Sequence, residues 1–210
     1  MKFETLRSKM AGRPYFRPED LHMGGPPLAH ELVQLSLWAR EGKVVRLKKG
    51  LYTLGQEHRR VPLSGLGIAE PLYRPSYVSL EWALSRQGLI PEAVGRITSV
   101  TPLKTARFRN LFGEFEYRHL AQPYFFGFTQ ETRPAPHYLA LPEKAILDFI
   151  HLSIPRSEDL TEDLFLEGYR LQNLGRLRKG RLAESIARFQ VPRVQKGGKI
   201  IMRLMENNHD

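Results

Sequence analysis

The 210-residue chain carries 41% hydrophobic residues, which is enough to bury a core, so its composition excludes a disordered chain. It has no cysteine, which excludes disulfides, thiolate metal sites and thiol catalysis, and its formal charge of +10 favours polyanionic partners. The first twenty residues contain no apolar stretch, and no apolar run is long enough to cross a bilayer. We therefore expect a soluble cytoplasmic protein without a membrane partner.

The first 42 residues predict a helix, a tight turn and a second helix. A short helix is expected over 17–23, where Pro18 suits a first helical turn, and Gly24-Gly25 permits the tight turn. Pro26-Pro27 then favours the start of a second helix that ends at Gly42. Residues at helical spacing predict its inward face: Leu28, Leu32, Leu35 and Ala39. The outer face is predicted to carry His30, Gln34 and Leu37.

A β-hairpin is predicted directly after the second helix. Residues 43–47 alternate like a strand, Lys48-Lys49-Gly50 forms the tip, and 51–54 returns as a second strand. Two helices followed by such a hairpin are typical of a winged helix-turn-helix, in which the second helix enters the major groove of duplex DNA. The alternative is that these are ordinary core helices and a solvated turn. The predicted DNA contacts in this module, residues 1–55, are Arg13, Arg17, His30, Gln34, Arg46, Lys48 and Lys49.

The remaining chain predicts a linker over 56–75 and an α/β domain over 76–210. A helix is expected over Tyr77–Gln87, and another begins at Pro142. Short β-like runs cover 96–100, 114–120, 124–128 and 137–141, and helices follow from Thr161, including 180–189 and 198–207. The predicted fold class is therefore α+β: an N-terminal winged helix-turn-helix, then a larger mixed α/β domain with a helical basic tail.

The tail concentrates positive charge. Between 176 and 203 there are nine basic residues and one acidic residue, Glu184. Clustering of this kind is typical of nucleic-acid binding, so we hypothesise that Arg178, Lys179 and Arg181 contact the DNA backbone. RNA, an acidic protein, an acidic membrane and a generic solvated face are the alternatives.

Three stretches in order carry a family resemblance. They are EGKVVRLKKGLYTL at 41–54, SYVSLEWAL at 76–84 with GLIP at 88–91, and LPEKAILD at 141–148. They resemble the AbiEi-type antitoxins of type IV toxin–antitoxin systems. The resemblance implies a winged helix that binds operator repeats and represses its own operon. It also implies a C-terminal domain that counteracts a nucleotidyltransferase-like toxin without a tight complex. The chain departs from the family at Gly25-Pro26-Pro27, where a polar cap is common, and at its Lys-Lys tip, where arginine is usual.

Two other functions remain alternatives. Glu114 and Glu116 lie two apart on a predicted strand and could hold the cation of a DNA nuclease, but Arg118 stands where a lysine is usual. Aromatic residues on adjacent predicted strands could stack RNA bases, although packed core aromatics are the commoner arrangement: Tyr117, Tyr124, Phe125, Phe126 and Phe128. The histidines show no metal-ligand spacing, so we predict no catalytic residue, cofactor or metal.

Overall fold

The N-terminal region of the computed structural model contains two helices and a hairpin. The structure describes residues 1–21, 29–154 and 159–207. Helix α1 spans Phe3–Met10, α2 spans Ala29–Arg40, and strands β1 (Val44–Lys48) and β2 (Leu51–Leu54) pair antiparallel, which confirms the predicted hairpin. Where the sequence predicts a helix over 17–23, the described residues Pro18–Leu21 form a 3₁₀ turn. The predicted Gly24-Gly25 turn and Pro26-Pro27 helix start lie outside the described residues.

A small N-terminal core joins these elements. Its buried side chains come from α1, α2, the hairpin and the segment after α1: Leu6, Met10, Ala11, Phe16, Leu21, Leu35, Val44, Tyr52 and Leu54. Phe16 pairs with β2 as an isolated antiparallel bridge, because its N–H donates to the Tyr52 carbonyl at 2.8 Å and its carbonyl accepts from the Tyr52 N–H at 2.9 Å. The segment between α1 and the 3₁₀ turn is thereby bound to the hairpin.

The buried face of α2 differs from the predicted one. Leu35 is fully buried as predicted, whereas Leu32 is 41% exposed and Ala39 only half-buried. The helix carries apolar side chains on more than one side, so their spacing alone does not select the inward face. The position of helix α1 determines which side of α2 is buried, since Phe3 of α1 packs edge-on against Trp38 of α2 with ring centroids 5.5 Å apart.

A larger sheet follows in the described part of the chain. Its strands are β3 (Tyr77–Val78), β4 (Ile97–Thr101), β5 (Ala106–Asn110), β6 (Gly113–His119), β7 (Phe128–Glu131) and β8 (His137–Ala140). Their order is β5-β6-β4-β3-β8-β7, with β4–β6 and β3–β8 parallel and the other neighbours antiparallel. The described residues are thus a mixed α+β protein, as predicted at this level.

Helices cover this sheet. They are α3 (Gly65–Leu72), α4 (Leu80–Arg86), α5 (Pro142–Ser153), α6 (Lys179–Arg188) and α7 (Pro192–Asn207). Helix α3 contacts β3, β4 and β8, α4 packs on α5, and α6 and α7 pack on α5 and on each other. Across the described ranges, no helix combines the length and the apolar character that a bilayer crossing requires.

The segment predicted as a linker, 56–75, is largely part of the packed structure. It contains α3, whose Leu66, Ile68 and Leu72 side chains are buried in the larger core. Glycines and prolines obscure the helix in the sequence, but Ser64 caps it by accepting from the Gly67 N–H. A flexible-linker interpretation therefore does not describe 65–72.

Several predicted boundaries change as well. The predicted helix 77–87 splits into β3 and α4, and the predicted strand 124–128 begins only at Phe128, after a 3₁₀ turn over Gln122–Tyr124. The helix expected from Thr161 is a single π-helical turn over Leu164–Gly168. Strand β5 was not predicted, because its alternation of arginines with other residues lacks a clear apolar face. Helix α7 begins at Pro192 rather than near Gly198.

Candidate nucleic-acid interface

The hairpin presents two of its predicted cations to solvent. Arg46 on β1 and Lys49 in the turn are both exposed, and Gly50 completes the turn with a φ of 76°, which glycine adopts without strain. Both side chains are placed where a phosphate group can reach them without burial of charge. Both residues stay predicted DNA contacts.

The third predicted hairpin cation, Lys48, is directed elsewhere. Its ammonium donates a hydrogen bond to the Leu72 carbonyl at the end of α3 and lies 5.7 Å from the centre of the Phe108 ring. Burial, and then the positive charges of Arg17 and Arg74, lower the pKa of the Lys48 ammonium. Lys48 therefore connects the hairpin to the larger domain, whereas the sequence predicted it at a protruding tip.

The hairpin is docked rather than protruding. Leu47 and Leu51 are buried in the larger core, not in the small N-terminal core. The Asn110 amide at the end of β5 donates to the Leu47 carbonyl at 3.1 Å. Because these contacts join residues about sixty positions apart, the sequence pattern around the hairpin does not reveal them.

Helix α2 places its two predicted base-reading residues differently. His30 is exposed, as predicted. Gln34 is half-buried, and its Oε1 accepts a hydrogen bond from the N-terminal ammonium of Met1 at 2.9 Å. Gln34 thus faces α1, whereas the sequence predicted it on the side of the helix that points away from the core.

The outer face of α2 instead has apolar side chains at its centre. We use this name for the exposed side chains His30, Leu32, Val33, Ser36, Leu37 and Arg40. Leu32, Val33 and Leu37 are 41%, 59% and 48% exposed. The Ser36 hydroxyl donates to the Leu32 carbonyl at 2.9 Å, within the helix itself. Leu37 was predicted on this side, whereas Leu32 was assigned to the core and Val33 was not singled out.

The two arginines before α2 that the sequence predicts as DNA contacts are exposed. The Arg13 guanidinium lies 4.0 Å from the Asp20 carboxylate. That carboxylate also accepts from the Arg17 backbone N–H at 2.7 Å. The Arg17 side chain itself is exposed to solvent. Asp20 therefore orders this segment while partly offsetting its positive charge.

The predicted cations of the basic tail lie at the start of α6. Arg178, Lys179 and Arg181 are exposed, and α6 buries Leu182 and Ile186 on its other side. The Lys179 ammonium forms an ion pair with the Glu206 carboxylate of α7, so its charge is locally compensated. Arg178 and Arg181 are the stronger candidates for contact with a polyanion.

A buried ionic network lies under the start of α5. Lys144 and Asp148 form an ion pair, and both are fully buried. The Asp148 carboxylate also accepts from the Ser79 hydroxyl at 2.8 Å and the Tyr77 hydroxyl at 3.0 Å. Burial raises the pKa of the Asp148 carboxyl, against the opposing effect of Lys144. Amphipathic spacing places these charges on a helix but does not show that they are enclosed.

The carboxylates considered for a nuclease site are held by arginines. The two Glu116 oxygens accept from Arg96 and from Arg107, the latter at 3.0 Å, and Glu114 lies 3.6 Å from Arg109. Over the described ranges there is no group of three or more histidine, aspartate or glutamate side chains that could hold a metal ion. These contacts match the charge pairing expected on a solvated strand face.

The aromatic residues considered for RNA stacking are engaged with other side chains. Tyr117 is fully buried, and its hydroxyl donates to the Ala69 carbonyl of α3 at 2.5 Å. Tyr124 stacks on Phe189 with ring centroids 4.5 Å apart, and Phe128 stacks on Tyr77 at 4.4 Å. Phe125 and Phe126 pack in or against the same core. These rings serve the packing of the sheet.

The N-terminal module thus exposes cations before α2, at its end and on the hairpin: Arg13, Arg17, Arg40, Arg46 and Lys49. No family model and no curated protein matches the sequence.

Proposed function

We propose that this protein is a non-enzymatic, sequence-specific regulator that binds duplex DNA through its N-terminal module, with α2 as the recognition helix and the β1–β2 hairpin as a wing. The observation that carries the proposal is the order of elements around the Phe16–Tyr52 bridge. A helix, a bridged extended segment, a short helical turn, a second helix and a hairpin follow one another in the described residues. This order suits a winged helix-turn-helix.

The charge distribution supports the same interface. Arg40 ends α2, Arg46 and Lys49 lie on the hairpin, and each of these side chains is exposed. Within the part of the chain that the structure describes, none of these three side chains is enclosed in an ion pair, so their charges are available to phosphate oxygens. Phosphate contacts of this kind supply affinity and orientation, whereas base edges supply specificity.

The resemblance to AbiEi-type antitoxins extends the proposal to a biological role. We propose that the protein represses its own operon at operator repeats. We also propose that its larger domain counteracts a nucleotidyltransferase-like toxin without a tight complex. Because the hairpin is docked on the larger domain, the two proposed roles, DNA binding and toxin counteraction, cannot be assigned by simply cutting the chain after the hairpin. A fragment ending near Leu54 would expose Leu47 and Leu51, which belong to the larger core, so the full chain is the proper test protein.

The wing assignment predicts a specific salt effect. Replacing Arg46 and Lys49 together by alanine is expected to weaken binding to any duplex and to lower the slope of log affinity against log salt by up to about two, at about 0.9 for each lost phosphate contact. The measurement is fluorescence anisotropy with random-sequence duplex at several salt concentrations.

Two controls make this result specific. Lys48→Ala removes a charge from the same hairpin but one that contacts the Leu72 carbonyl, so the slope should stay unchanged. Arg86→Ala with Lys104→Ala removes two exposed charges of the larger domain and should also leave it unchanged. If the Arg46 and Lys49 variant kept the parent slope, the hairpin would not be a DNA-contacting wing.

The basic tail makes a separate prediction. If Arg178 and Arg181 contact the DNA backbone beyond the winged helix, replacing both by glutamine should also flatten the salt slope, again by up to about two. Lys179→Gln should have a smaller effect, because Lys179 is paired with Glu206. An unchanged slope combined with lost protection against the toxin in cells would assign these arginines to a different partner.

A further inference from the structure

The outer face of α2 offers a duplex little hydrogen-bonding chemistry. Apart from His30 at its start and Arg40 at its end, its large side chains are Leu32, Val33 and Leu37. The Ser36 hydroxyl already donates to the Leu32 carbonyl within the helix. Direct readout of guanine or adenine edges depends on bidentate donors and acceptors such as arginine, asparagine and glutamine. The centre of this face carries none of these.

We propose that this face recognises thymine 5-methyl groups in the major groove, an inference that rests on the proposed function. The thymine methyl is the apolar group that base pairs present in that groove, and apolar side chains are its usual protein contact. Leu32, Val33 and Leu37 form a shallow groove together with Ser36 and Arg40. The partner is therefore a thymine-containing stretch of duplex DNA, with Arg40 beside the apolar patch to contact its backbone.

The charges on this face favour DNA over a second copy of the chain. An isologous dimer through α2 would bring the same patch together with its own copy, so each Arg40 would approach a face that presents no carboxylate. Glu31 is buried on the opposite side, and Glu41 lies beyond the helix end, 2.8 Å from Lys43. Three part-exposed side chains also provide far less area than the roughly 1,000 Å² expected of a stable interface.

The test compares duplex polymers that differ only in the methyl group. The full-length protein is titrated with alternating poly(dA–dT) and poly(dA–dU), and with alternating poly(dG–dC) and its 5-methylcytosine form, at one salt concentration. Burying one methyl-sized group corresponds to about fourfold in affinity, so two contacted methyls give about fifteenfold. We expect the protein to bind the thymine polymer about four- to fifteenfold more tightly than the uracil polymer. Methylation of cytosine should strengthen binding in the same direction.

A pair of exposed-site variants locates the effect. Val33→Ala with Leu37→Ala should reduce the ratio of thymine-polymer to uracil-polymer affinity toward one, because the contacts with the methyl groups are lost. The matched control, Leu103→Ala with Leu111→Ala, trims two leucines that are 40% and 78% exposed in the larger domain and should retain the full ratio.

The other outcomes are equally decisive. Equal affinity of the parent protein for both members of each polymer pair would overturn methyl recognition while leaving DNA binding intact. A failure to bind all four polymers at low salt would overturn the proposed function itself. If the Val33 and Leu37 variant instead converted a dimer into a monomer in sedimentation, the face would be a self-interface and the inference would be wrong.

Discussion

Replacing Asp148 by alanine is expected to lower the free energy of unfolding by about 3–5 kcal/mol, the usual cost of removing one partner from a buried ion pair. The change leaves the Lys144 ammonium enclosed without its counter-charge, and it removes the acceptor for the Tyr77 and Ser79 hydroxyls. Burial already lowers the pKa of Lys144, and loss of the carboxylate would lower it further. Urea denaturation followed by circular dichroism measures the effect.

The control replaces both charges by apolar side chains of similar size. Lys144→Met with Asp148→Leu should recover most of the lost stability, because a well-packed apolar pair is often as stable as a buried ion pair. The Lys144 ammonium lies 4.9 Å from the Phe189 ring centre and 5.0 Å from that of Phe126, so the site already has apolar walls. A double variant as unstable as Asp148→Ala would show that the hydroxyl contacts, rather than the uncompensated charge, dominate.

Replacing Leu35 by alanine is expected to cost about 2–5 kcal/mol, as is typical of a leucine fully enclosed in a core. Leu35 is the central α2 side chain of the small N-terminal core, so its loss should also abolish DNA binding at temperatures where the larger domain remains folded. Thermal unfolding monitored by calorimetry, together with DNA titration at two temperatures, tests both effects.

Leu32→Ala on the same helix is the matched control. Both substitutions replace leucine by alanine, but Leu32 is 41% exposed. The free energy of unfolding should therefore fall by less than about 1 kcal/mol. The thymine-methyl proposal predicts that this variant is folded yet weaker on thymine-containing DNA. Equal destabilisation by the two substitutions would mean that the buried face of α2 is not the one described.

Local patterns were sufficient for several elements of this protein. The alternation of 43–47, the Lys-Lys-Gly tip and the return of 51–54 predicted the hairpin, and Pro142 predicted the start of α5. These predictions succeed because turn geometry and side-chain periodicity depend on residues only a few positions apart.

The buried segment 65–72 shows where such rules fail. Its glycines and a proline inside the helix suggest a linker, yet Ile68 and Leu72 are fully buried against the sheet. Burial of an apolar side chain stabilises a short helix beyond what its intrinsic propensity provides. The surface that supplies this burial comes from strands far along the chain.

The amino-acid sequence by itself determined the hairpin, the mixed α+β class and the concentration of cations at both ends of the chain. Only the tertiary structure decided which side of α2 is exposed, that Lys48 contacts the larger domain and that Lys144 and Asp148 are enclosed. Each of these outcomes depends on contacts between residues far apart in sequence, such as Lys48 with Leu72 and Asp148 with Tyr77. The physical reason is that hydrogen-bonded turns and helical or strand periodicity are local, whereas burial is set by which distant surfaces meet.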